Sequence, residues 1–138
     1  MRPKEALSRV ELLKDVPDDA LDELVQRATT MKMQPGRVIV EQGNTDSGLA
    51  LILEGTAEVS VNGVTRASLG EGDYFGEMSL LDGAPRSATV TAGPEGAKTL
   101  AISPLTFTEV LDAYPGVARS LLVHLVGRIR SLESTLGS

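Results

Sequence analysis

The sequence has no cysteine and only one histidine, and these shortages exclude several classes of function. Without cysteine no disulfide can form, which is compatible with a reducing compartment. His124 has no set of His, Cys or Asp partners at ligand spacing, so a metal or haem site is not supported. The chain also lacks a nucleophile motif such as G-x-S-x-G. We therefore predict that the protein is not an enzyme.

Long apolar runs and an excess of positive charge are also missing. No stretch approaches the roughly 18 uninterrupted apolar residues of a spanning helix, and the first residues do not resemble a signal peptide. The 13 basic and 19 acidic residues give a net charge of −6, so the average field repels polyanions. We expect a soluble, cytoplasmic protein without a membrane span and without direct binding of nucleic acid.

The length and composition fit a single domain over 1–138. A chain of 138 residues with 41% hydrophobic content can form one core and is too short for two ordinary domains. Its pattern divides into a helical segment at 1–34, a β-rich segment at 35–103 and a second helical segment at 104–138. The predicted fold class is mainly β with flanking helices. Met1 and the helical end are compatible with an intact small protein or with a piece of a longer one.

Turn signals divide the β-rich segment into short runs of Val, Ile and Thr. Asn62-Gly63 is a strong hairpin signal, and Gly43 and Gly55 suit places where the chain reverses with positive φ. The clearest predicted strands are 37–41, 49–53, 57–61, 65–69, 87–91 and 98–102. Short strands at such regular spacing indicate a barrel or sandwich.

The last segment predicts two helices. Pro104 suits the start of the first, and Tyr114-Pro115-Gly116 interrupts the helical pattern. A longer helix is predicted over 117–136, and its apolar stripe is formed by Val117, Leu121, Leu122, Leu125, Ile129 and Leu132. Packing against the core is the ordinary explanation of such a stripe.

One segment, YFGEMSLLDGAPRSATV at 74–90, combines groups suited to a sugar phosphate. Gly76 lets a ligand approach the main chain closely, and Glu77 offers two acceptor oxygens that suit a ribose 2′-hydroxyl. Residues 78–81 form one predicted helical turn whose amides could meet a phosphate. Arg86, after a turn and a stiffening proline, offers a fork of donors that matches phosphate oxygens.

This segment resembles the phosphate-binding cassette of the cyclic nucleotide-binding domain family, found in kinase regulatory subunits, catabolite activator proteins and cyclic nucleotide-gated channels. The family's F-G-E, P-R and A-T-V elements are all present. The resemblance extends from about residue 10 to 135 and implies a β-roll or jelly-roll barrel with an N-terminal helical segment and two C-terminal helices. It places the cassette at 75–89, with ligand-binding residues Phe75, Gly76, Glu77, Met78, Ser79, Pro85, Arg86, Ser87 and Ala88.

The resemblance also implies individual roles. Glu77 would accept from the 2′-hydroxyl, Arg86 would bind the cyclic phosphate, and the amides of Met78, Ser79 and Ser87 would complete the cradle. The simpler alternative is that Glu77 and Arg86 form a structural ion pair, which at a surface contributes about 0–1 kcal/mol.

In this family a residue of the C-terminal helix covers the purine, and the helix moves inward on binding. We predict Arg128 for that position, because it lies three residues after Leu125 and its guanidinium can stack on a base. Leu125 or Val126 could serve by apolar contact instead. Arg128, with Arg119 and Arg130, could also belong to a solvated helix face. The same helix could form a homodimer interface, as in the catabolite activators.

The residue after the cassette arginine bears on base selectivity. Ser87 offers a hydroxyl where kinase-type cAMP sites usually carry Ala and cGMP sites often carry Thr, so the signal is mixed. We expect a regulatory sensor that binds cAMP, with a cGMP-preferring sensor as the lesser alternative. A second alternative is a ligand-free domain that acts only as a protein interaction module. The protein effector is unknown.

Overall fold

The computed structural model describes residues 1–45 and 48–136, without the side chain of Met78. Its elements form a mainly β fold with flanking helices, which confirms the predicted fold class. In chain order they are α1 (Pro3–Ser8), a 3-10 turn (Glu11–Leu13), α2 (Asp18–Arg27), β1 (Thr29–Met33), β2 (Val38–Val40), β3 (Leu49–Val61), β4 (Val64–Leu69), β5 (Tyr74–Phe75), α3 (Glu77–Asp82), β6 (Thr89–Ile102), α4 (Pro104–Ala113) and α5 (Pro115–Thr135).

Two long antiparallel strands, β3 and β6, form the centre of the sheet. At one end they are flanked by β1, which pairs with β6, and by β5, which pairs with β3. At the other end they are flanked by β2 on β6 and by β4 on β3. The register between β3 and β6 shifts between Ile52 and Glu54 and again between Gly55 and Ala57. Such bulges bend a strand and increase its twist, so the two ends of the sheet form the two halves of a β-roll.

Alternate residues of the central strands face two different cores. Leu49, Leu51 and Leu53 of β3 are buried in a cluster with the helices, which contribute residues such as Leu7 and Phe107. Ile52, between them, belongs to a separate cluster inside the roll. Side chains of a strand point alternately to its two faces, and both faces of β3 are covered here. The helical core therefore holds α4 and the beginning of α5 against the sheet.

Four of the predicted strands are wrong in their extent. Residues 49–53 and 57–61 belong to the single strand β3, and the predicted strands 87–91 and 98–102 both fall on β6, which begins at Thr89. Gly55 has the expected positive φ of 82°, but it lies at the bulge rather than at a reversal. A Cβ at Gly55 would collide with the main-chain oxygen of Gly96 on β6, so the two strands approach closely here because glycine has no side chain.

The predicted boundaries of the helical segments also need correction. The segment 1–34 is not helical to its end, because Thr29–Met33 forms strand β1 and pairs with β6. The last helix begins at Pro115, so the predicted interruption shrinks to Tyr114. Proline is well tolerated in a first helical turn, where its missing N–H has no partner to lose. Within residues 1–45 and 48–136, no helix has the length and apolar character needed to cross a membrane.

Candidate functional site

The cassette folds around a glycine in the left-handed conformation. Gly76 precedes α3 with φ 86° and ψ 12°, and Leu80 N donates to its carbonyl oxygen at 3.1 Å. A Cβ at this position would collide with the oxygen of Gly48 and with Nη1 of Arg86. Only glycine satisfies both the dihedral angle and the lack of space. The predicted helical turn is confirmed and extends over Glu77–Asp82.

Arg86 is a buried charged side chain, with 9% of its surface exposed. Its Nη1 donates to the main-chain oxygen of Gly48 at 3.0 Å. Its Cζ lies 5.9 Å from the centroid of the Phe75 ring, within the range of a cation–π interaction. Because a Cβ at Gly76 would collide with Nη1 of Arg86, the guanidinium also lies against the main chain of Gly76, the residue directly before Glu77.

A loop after β2 holds the main chain of Arg86 from both sides. Gly43 N donates to Arg86 O at 2.8 Å, and Arg86 N donates to Asn44 O at 2.8 Å. Sequence reasoning identified Gly43 as a place where the chain reverses but did not connect it to the cassette. The only signal was the turn itself, since nothing in a linear pattern pairs residues so far apart.

Glu77 opens the first turn of α3 and is half-buried. It borders a groove of about 320 Å³ between α3 and α5. The other residues of this groove, called the α3–α5 groove below, are Leu12, Leu81, Asp82, Leu125, Arg128, Ile129 and Leu132. Arg128 thus lies in the same groove as Glu77, whereas Leu12, Leu81 and Leu132 were not predicted to border the site.

Arg86 opens on a different space. It borders a second cavity of about 240 Å³ that is lined by 38–41 and Asn44. Arg86 lies against Gly76 and Glu77 is the next residue along the chain, and the two side chains border different cavities. Within residues 1–45 and 48–136, the ion pairs found do not include one between Glu77 and Arg86.

The remaining predicted residues surround these two. Phe75 lies on β5, and Phe75, Ser79 and Ala88 are half-buried. Pro85 and Ser87 are exposed. Met78, whose amide was predicted to bind the phosphate, lies in α3, and its side chain is outside what the structure describes. Within the residues described, no group of three or more His, Cys, Asp or Glu side chains could hold a metal ion.

Comparison with known proteins identifies this arrangement. The model of the cyclic nucleotide-binding domain family matches residues 30–114, more than half of the chain. The chain belongs to this family. The match begins at β1 and ends directly after α4, so it contains the whole cassette and the loop after β2 that contacts Arg86.

Two curated relatives represent both common cyclic nucleotides. The cAMP-dependent protein kinase regulatory subunit of Yarrowia lipolytica is 36% identical over 88 residues, covering 62% of this chain and 24% of that protein. The cGMP-dependent protein kinase of Toxoplasma gondii is 26% identical over 128 residues, covering 93% of this chain and 12% of that kinase. The chain therefore spans at most about a quarter of either relative.

A solved structure resembles the fold over nearly its full length. The N-terminal domain of a transcriptional regulator from Streptomyces coelicolor A3(2) has a TM-score of 0.85 at 26% sequence identity. The similarity covers 94% of this chain and 95% of that one. The mainly antiparallel sheet and its flanking helices are thus those of the cyclic nucleotide-binding fold.

Proposed function

We propose that this domain is a regulatory sensor that binds a cyclic nucleotide, with its cyclic phosphate on Arg86 and its ribose on Glu77. The observation that carries the proposal is the buried guanidinium packed against Gly76, the residue before Glu77. A cyclic phosphodiester is a compact anion that shares two oxygens with the ribose, so it needs a cation and a hydroxyl acceptor close together. The phosphate would replace protein oxygens, such as that of Gly48, as the acceptor of Arg86.

The α3–α5 groove supports a role for α5 in the same event. Its lining is largely apolar, it begins at Glu77, and Arg128 stands at its edge. A purine in this groove would contact Leu125 and Ile129, with Arg128 over its face. A ligand shifts a conformational equilibrium only by its different affinities for the two states. Contacts that exist only when α5 lies inward would therefore couple binding to helix movement, without any catalytic step.

The preferred ligand is cAMP, and a cytoplasmic site of action fits that messenger. Ser87 is exposed beside the cassette arginine, where its hydroxyl does not force a choice of base. Isothermal titration of the native chain with cAMP and with cGMP tests the proposal. We expect both to bind and cAMP to bind more tightly. Tighter binding of cGMP would reverse the base preference, and binding of neither would overturn the sensor function.

Replacement of Glu77 by Ala should weaken binding through the ribose alone. A hydrogen bond to a charged acceptor contributes about 1.5–3 kcal/mol, so we expect affinity for cAMP to fall about tenfold to a hundredfold. The matched ligand is 2′-deoxy-cAMP, which cannot donate this bond. Native and Glu77→Ala proteins should bind the deoxy ligand equally well. An equal loss of affinity for cAMP and for 2′-deoxy-cAMP would show that Glu77 does not act through the 2′-hydroxyl.

A second copy of the chain is the proposed partner of α5. Leu122, Ile129 and Leu136 are exposed at intervals of seven residues, at 64%, 55% and 85%. Leu125 and Leu132 complete the alternating spacing of three and four that is typical of a coiled-coil face. The same face would serve a protein effector if the domain acted as an interaction module.

The dimer proposal predicts that one substitution in α5 halves the mass of the particle in solution. Ile129→Glu places a charge in the centre of the stripe, so we expect light scattering to show a dimer for the native chain and a monomer for the variant. Ser131→Glu, on the same helix but outside the stripe, is the control and should remain dimeric. A native chain that stays monomeric at high concentration would contradict the proposal.

A further inference from the structure

Two amide side chains outside the cassette form a reciprocal pair of hydrogen bonds. Gln42 Nε2 donates to Asn62 Oδ1 at 3.0 Å, and Asn62 N donates to Gln42 Oε1 at 2.9 Å. We call this pair the Gln42–Asn62 clasp. It joins the loop after β2 to the hairpin turn between β3 and β4, 20 residues further along the chain.

The loop side of the clasp is the segment that holds Arg86. Gly43 and Asn44, directly after Gln42, make the two main-chain bonds that bracket Arg86. Gln42 N itself donates to Thr89 Oγ1 at 3.0 Å, where β6 begins after the cassette. Three consecutive residues of the loop thus contact the end of the cassette. The first of them, Gln42, is also hydrogen-bonded to Asn62, which lies outside both the loop and the cassette.

The hairpin that carries Asn62 is held in place by the pairing of β3 with β4. Val61 and Val64 pair on either side of the turn, and β3 continues from it into the buried centre of the sheet. Asn62 has φ 51°, a left-handed conformation that asparagine adopts more readily than most residues. Its side chain accepts the hydrogen bond from Gln42 in the loop after β2.

We propose that the Gln42–Asn62 clasp positions Arg86 for the phosphate by fixing the loop that brackets it. The proposal rests on the proposed function for its effect on affinity. The hydrogen bonds of the two amides that the described residues show join Gln42 and Asn62 to each other, and the loop bonds bracket the main chain of Arg86, so both act as positioning residues. Because Asn62 is exposed and Gln42 only half-buried, their loss should leave the fold intact while the loop gains freedom.

The test compares substitutions that keep the hairpin turn. Asn62→Gly retains the positive φ and the amide that donates to Gln42, but removes the side-chain acceptor. Asn62→Asp retains both the φ tolerance and the acceptor. Gln42→Ala removes both side-chain bonds. We expect Gln42→Ala to weaken cAMP binding about fivefold and Asn62→Gly about threefold, whereas Asn62→Asp should bind like the native protein, with all melting temperatures close to the native value.

Two further measurements show whether the effect passes through Arg86. In an Arg86→Ala background, where no side-chain donor remains to be positioned, Gln42→Ala should have no additional effect on the affinity for cAMP. In the unliganded protein, Gln42→Ala should shift or broaden the Nε–Hε resonance of Arg86 in ¹⁵N correlation spectra. An undisturbed resonance, or the same fivefold loss in the Arg86→Ala background, would overturn the inference. If the native chain bound no cyclic nucleotide, the proposed function would fail, and the Arg86 resonance would still decide the role of the clasp.

Discussion

Arg86→Ala should reduce the affinity for cAMP about thirtyfold to several thousandfold. Truncating one partner of a buried, hydrogen-bonded charge pair costs about 2–5 kcal/mol, and about 1.4 kcal/mol corresponds to a factor of ten. Arg86 is 9% exposed and lies against Phe75, so water would not readily replace the lost donors. Titration calorimetry of the native and variant proteins measures the change.

The controls separate phosphate binding from folding and from general charge. Arg66 lies exposed on β4, and Arg66→Ala removes the same charge from the same β-roll, so we expect its affinity to remain within about twofold of native. Arg86→Lys keeps the charge but not the planar fork and should give an intermediate loss. Circular dichroism would verify that each variant is folded. An Arg86→Ala protein that is folded and binds cAMP as tightly as the native chain would refute the phosphate role.

Gly76→Ala should lower the free energy of unfolding by about 2–5 kcal/mol. An L-residue in the left-handed conformation costs about 1–2 kcal/mol, and forced contacts in a packed region cost about 1–3 kcal/mol more. At Gly76 the new methyl group would collide with the oxygen of Gly48 and with Nη1 of Arg86. Because one of these atoms belongs to the phosphate site, the affinity for cAMP should fall together with the stability.

Gly36→Ala is the matched control for that collision. Gly36 has φ 78°, close to that of Gly76, but a Cβ there would meet nothing within 4 Å. Its substitution should therefore cost only the conformational part, about 1–2 kcal/mol, and leave the affinity unchanged. Urea denaturation with and without cAMP measures both quantities. Equal losses of stability for the two variants would mean that the contacts of Gly76 with Gly48 and Arg86 do not matter.

The cassette could be predicted from the sequence because its determinants are local. Gly76, the short helix Glu77–Asp82 and Arg86 lie within eleven consecutive residues, and the structure has a helical turn where the pattern indicated one. The burial of Arg86 was not predicted, although two of the residues that it lies against, Phe75 and Gly76, are part of the same segment. The ligand-binding roles of these residues remain predictions.

Features that depend on distant pairs could not be predicted in the same way. Gly55 is a residue typical of turns, and the sequence predicted a reversal there. Only its close approach to Gly96 on β6 explains why strand β3 continues through it. Strand β1 follows a helix without a turn signal, and its pairing with β6 determines its conformation. The α3–α5 groove likewise arises where Leu81 and Leu132, about fifty residues apart, meet across two helices.

The most direct test of the account is a crystal structure of the native chain with cAMP. We expect the cyclic phosphate to accept hydrogen bonds from the guanidinium of Arg86, the 2′-hydroxyl to donate to Glu77, and the adenine to lie in the α3–α5 groove under Arg128. The account would be contradicted by cAMP bound at another surface, or by crystals grown in saturating cAMP in which Arg86 still donates to Gly48 and no nucleotide is present.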